Sequence, residues 1–115
     1  MMTGQATRIA ELNDRFRKGD PAIPGKTMLT IGVQGLTGGD PHSSTALLKA
    51  VHSFDSFTPD NDPHGEHDFG SLEFGGEKLF WKIDYFDPGL EFGSEDPADI
   101  AQTVRVLTIM LAEEY

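Results

Sequence analysis

The stretch KLFWKIDYFD at 78–87 constrains this chain most, because Leu79, Trp81, Ile83 and Tyr85 alternate with Phe80, Lys82, Asp84 and Phe86. A period of two belongs to a strand and to no helix. Upstream lie DFGSLEF at 68–74 and the pair Gly75-Gly76, so the two runs read as a hairpin closed by a glycine turn. One face, Leu79, Trp81, Ile83 and Tyr85, is assigned to the core. Phe80 and Phe86 on the alternate face are candidates for a second layer or an interface.

The remaining segments supply what covers that hairpin. Ile9, Leu12 and Phe16, with Ala6 and Ala10, form the stripe of a short amphipathic helix over 5–18. Residues 20–26 are a Pro- and Gly-punctuated connector, and the β-branched run TMLTIGV predicts a strand over 27–33, with Gly32-Val33-Gln34-Gly35 as its end. Asp40-Pro41 pairs an N-cap with a first-turn proline, opening a helix over 41–54 that presents Leu47, Leu48, Val51 and Phe54. After the turn Asp87-Pro88-Gly89, Leu90-Glu91-Phe92 predicts a short third strand. Asp96-Pro97 repeats the cap-then-proline device, and Ile100, Val104, Leu107 and Leu111 predict a closing helix packed on the Leu79 to Tyr85 face. The order helix, strand, helix, two or three strands, helix predicts an α+β fold: a small antiparallel sheet with helices packed on one face. At 115 residues, 1–115 reads as a single domain.

Composition removes whole classes of function. With no cysteine there are no disulfides, thiol nucleophiles or thiolate metal sites. No apolar run reaches the roughly 18–20 residues of a spanning helix, and MMTGQATRIAELNDRF lacks the apolar core of a signal peptide, so a cytoplasmic location and no membrane are expected. The formal charge of −10 is uneven, because from Asp55 onward 15 acids face only Lys78, Lys82 and Arg105. Such a surface repels nucleic acid, whose affinity depends on neutralising phosphates. It attracts a basic protein, although the same charge also serves solubility.

Asp60, Asp62, His64, Glu66, His67 and Asp68 fall within nine positions. Read as a calcium loop, the segment has Ser71 where a bidentate Glu is needed. Read as a transition-metal site, His64, His67 and Asp68 supply imidazole and carboxylate ligands for a divalent ion, with Asp60, Asp62, His42 or His52 in reserve. Without a metal, His67 with Asp68, or His64 with Asp84, gives a base and its orienting carboxylate. Against both stands a plainer account in which the acids cap turns and the histidines bond loop carbonyls. No Gly-x-Ser-x-Gly elbow, Walker loop or dinucleotide fingerprint is present.

The segments TPDNDPHGEHDFG, FWKIDYFD and RVLTIMLAEEY together resemble domain of unknown function 3768, an uncharacterised bacterial family common in alphaproteobacteria and on mobile elements. The resemblance spans about residues 7–115 and implies no reaction, cofactor or catalytic residue. The mobile-element setting implies a kind of role, that of an inhibitor of host defence, of anti-restriction or anti-CRISPR type, which occupies a basic nucleic-acid-binding surface. The reading that follows is a non-enzymatic module that binds a basic protein through Asp60, Asp62, Glu66, Glu91, Glu95 and Asp96, with no cofactor. The alternative is a metal-dependent or acid–base enzyme centred on His64, His67 and Asp68.

Overall fold

The segment expected as the closing helix is instead the central strand of the sheet. The computed structural model describes residues 3–115, and in it Val104–Leu111 (β4) lies between Gly25–Leu29 (β1) and Glu77–Phe86 (β3), with Phe69–Phe74 (β2) outermost. β2 and β3 form the expected hairpin, closed by Gly75 and Gly76 at φ 60° and 80°. That left-handed pair is what a tight two-residue turn requires of its centre. β3 and β4 are antiparallel, whereas β1 and β4 are parallel, so the α+β sheet is mixed rather than wholly antiparallel.

Two local expectations fail for identifiable reasons. β1 stops at Leu29, because the Thr30 hydroxyl accepts from the Val33 amide and caps a helix over Ile31–Thr37 (α2). Gly32 and Gly35 therefore sit inside a helix, not at a strand end. Before β4, Asp99 caps only a 3₁₀ turn, Ile100–Gln102, and the chain then extends. The Leu90 to Phe92 segment is a loop, and the residue after it, Gly93, forms an isolated bridge with Phe86. The two long helices match their patterns: Thr3–Arg17 (α1) and Pro41–His52 (α3), the latter capped by the Asp40 carboxylate.

All three helices lie on one face of the sheet, as expected. Leu79, Trp81 and Ile83 are buried there with Val33 of α2, Leu47 and Val51 of α3, and Leu107 and Ile109 of β4. Trp81 sits opposite Ile109, and Ile83 opposite Leu107. The predicted partner stripe is corrected accordingly. Leu107 and Leu111 share the Trp81 face as strand neighbours, but Val104 falls on the reverse face opposite Phe86, and Ile100 is exposed. On β2, a Cβ at Gly70 would come within 2.4 Å of the indole nitrogen, so glycine is what lets the hairpin close over the ring. Among the described residues no α-helix covers the reverse face, where Phe69, Phe80 and Tyr115 cluster with ring centroids 5.1–5.6 Å apart.

Candidate functional site

α1 is amphipathic in an unusual way, because its buried side carries Asn13 and Arg17 as well as Ile9 and Leu12. Buried polar groups must find partners or destabilise the fold. Asn13 finds its partners on loop 55–68 and the sheet, and Arg17 finds its own on α1 and just past α3. Asn13 donates to the Glu66 carbonyl and to the Tyr85 hydroxyl, and its own oxygen accepts from Arg105 Nε at 2.6 Å. Tyr85 donates to the Glu66 carboxylate, Arg105 donates to the Pro97 carbonyl, and the guanidinium lies over the Tyr85 ring. Burial pushes the Tyr85 phenol well above its usual range and pulls Arg105 down, with Tyr85 and Glu66 partly offsetting the effect on Arg105. Arg17 reaches Asp14 and the Phe54 carbonyl, and it stacks over Phe57 and Trp81.

The acid and histidine loop is locked onto this network. Thr58 and Asn61 exchange side-chain to backbone hydrogen bonds, and Asn61 also ties back to the Ser56 carbonyl. Asp62 caps the next turn and accepts from the His67 amide at 3.2 Å. His67 itself has φ 56°, a left-handed conformation that costs a non-glycine residue about 1–3 kcal/mol. Its ring contacts hold it there. Nδ1 lies 3.0 Å from both Asp14 oxygens, Nε2 lies 3.7 Å from Asp62, and the ring stacks on Phe57 at 3.9 Å.

This arrangement settles where each expected site residue lies. His67 pairs with Asp14 and not with Asp68, and Asp84 pairs with Lys82 and not with His64. His64 is exposed at the rim of a cleft of about 500 Å³ that Gln5, Ile9, Glu66, Tyr85 and Pro97 also line. Among the described residues, no three His, Asp or Glu side chains are grouped to hold a metal ion, so His64, His67 and Asp68 are not assembled as a ligand set. Both His67 nitrogens face carboxylates and one ring face is covered, which leaves 29% of the side chain exposed. Its role here is to pin the loop to α1.

The six acids named for a partner surface divide evenly. Asp60, Glu91 and Glu95 are exposed. Asp62, Glu66 and Asp96 are corrected to internal roles, because their carboxylates accept from the His67 amide, the Tyr85 hydroxyl and the Ala98 amide. Asp68, half-buried, is the acid that the fold strains. Desolvation, with Glu66 and Asp62 nearby, raises its carboxyl above 3.8. A raised folded-state value means stability is lost as pH rises from 3.8 through that value, since the folded chain then holds a proton that the unfolded chain releases. Asp68→Asn is expected to raise the melting temperature at pH 7 and to make no difference below pH 3.8, read by thermal scans at both pH values.

The family model Protein of unknown function (DUF3768) matches residues 29–114, which takes in α2, α3 and strands β2 to β4. No curated protein and no solved structure matches the chain.

Proposed function

We propose, from the premise that this chain belongs to the DUF3768 family of proteins of unknown function, that it is a non-enzymatic module that binds a basic protein. The observation that carries this reading is the imbalance between its two kinds of charge. Arg17 and Arg105, two of the nine basic side chains, are buried, which offsets the inward turn of acids such as Asp62 and leaves the surface strongly negative. Asp60, Glu91 and Glu95 stand exposed and, among the described residues, make no ion pair. Exposed carboxylates without cations raise the local concentration of a basic partner and speed encounter. The most basic protein surfaces are those that hold nucleic acid, which supports the form of inhibitor that occupies such a surface. The histidine loop favours this reading over catalysis, since His67 is held by Asp14 and stacked on Phe57 rather than grouped with His64 and Asp68.

The test is kinetic. Association with a partner recovered from the native host, followed by surface plasmon resonance, is expected to slow about tenfold or more between 0.01 and 0.15 M salt, as the screening length falls from about 30 to about 8 Å. The triple variant Asp60→Lys, Glu91→Lys, Glu95→Lys is expected to slow it similarly while moving stability by only about 0.5 kcal/mol per site. Nucleic acid bound by the partner is expected to compete. An association rate indifferent to both salt and charge reversal overturns the reading.

A further inference from the structure

The two edges of the sheet are treated differently. β1 runs for only five residues, carries Lys26, follows Pro24, and has its last carbonyl, Leu29, capped by the Gln34 side chain. These are ordinary devices that stop an edge from pairing. β2, six residues long, has neither the proline nor the capped carbonyl, and its one charged residue is Glu73. The Ile83 amide donates to the Asp68 carbonyl, so in the alternation of an antiparallel ladder Gly70, Leu72 and Phe74 also pair with β3. The amides and carbonyls of Phe69, Ser71 and Glu73 point away from the sheet, and among the described residues nothing bonds to them. Beside this bare ladder, the reverse face offers the half-buried Phe69 and Phe80 with Tyr115 as a packing floor.

An unpaired ladder accepts one kind of occupant, another extended peptide backbone. Charge then selects its chemistry. A second copy would bring −10 against −10, whereas Asp55 and Asp60 on the loop leading into the edge are exposed and acidic, as is Glu73, which faces Lys78 across the hairpin. Resting on the reading of a basic partner given above, we infer that β2 is the docking edge, and that a basic, extended segment of the partner adds to it as a fifth strand through Phe69, Ser71 and Glu73. Main-chain hydrogen bonds supply affinity in this mode, and alternate side chains supply specificity.

The probe is a capped peptide of alternating lysine and valine, with a second version N-methylated at every other residue. Binding is expected to protect the Ser71 and Glu73 amides from hydrogen exchange, and N-methylation is expected to weaken it about tenfold or more. Ser71→Pro is the matching variant, because the amide it removes makes no bond to β3, and edge strands tolerate proline. It is expected to fold with a near-native melting temperature and to lose the peptide. If Ser71→Pro binds as the native chain does, or exchange at Ser71 and Glu73 is unchanged, the edge is overturned while charge-dependent association leaves the basic-partner reading standing. If Ser71→Pro abolishes binding but the triple charge reversal does not alter it, the edge stands and that reading falls. Sedimentation showing a dimer that Ser71→Pro dissociates would make a second copy the occupant and overturn the inference.

Discussion

Trp81→Ala is expected to cost about 3–5 kcal/mol, the range for deleting a large aromatic from a closed core. The ring is wholly buried, meets Phe54 and Phe57 edge-on, lies beneath the Arg17 guanidinium and presses against Gly70. Its removal opens a cavity and also takes from the buried Arg17 one of its two π partners, the other being Phe57. Since domains of this size are stable by about 5–15 kcal/mol, the variant loses a large share of the total. Denaturant midpoints measure it directly. Phe92→Ala, at a phenylalanine that is 70% exposed, serves as the control and is expected to shift stability by about 0.5 kcal/mol or less.

Asn13→Ala is expected to cost about 3 kcal/mol, although it deletes only a carboxamide. The loss is large because of what it leaves behind. Arg105 Nε loses its acceptor in a fully buried site, and the Glu66 carbonyl loses a donor. An unpaired buried charge is penalised far more than a well-packed apolar replacement. Adding Arg105→Met to Asn13→Ala is therefore expected to cost less than the sum of the two single changes, by about 1 kcal/mol or more, which a double-mutant cycle on urea midpoints resolves.

The hairpin was legible because alternation over Leu79 to Tyr85 has one structural meaning, and α1 and α3 because their stripes are long and, in α3, capped. β4 was not, because Ile100, Val104, Leu107 and Leu111 fall at helical spacing by coincidence. A strand apolar on both faces has no alternation to betray it. Composition did hold a signal, since Val104, Val106, Thr108 and Ile109 are β-branched. The buried network was equally half visible. Arg105 interrupts an apolar run, and Asn13 and Arg17 follow Ile9 at intervals of four along α1, which marks them as core-facing. That these residues meet depends on a pairing across 92 positions, which no local pattern encodes. The acid cluster misled in the opposite direction: density suggested a site, whereas Asp62, Glu66 and His67 largely serve to fold their own loop.

The placement of β4 between β1 and β3 also bears on how the chain is made. A ribosome delivers β1, β2 and β3 before the strand that joins them, so β1 has no neighbour to pair with until residues 104–111 emerge. Until then the nascent chain presents the long, aromatic β3 with its inner ladder open, a template for pairing with other chains. Closure joins Gly25 to Arg105, a distant contact of the sort that slows folding. Synthesis of this protein thus passes through a stage in which that edge stands open, and shortening the chain from the C-terminal side into β4 is expected to yield aggregate rather than a smaller folded unit.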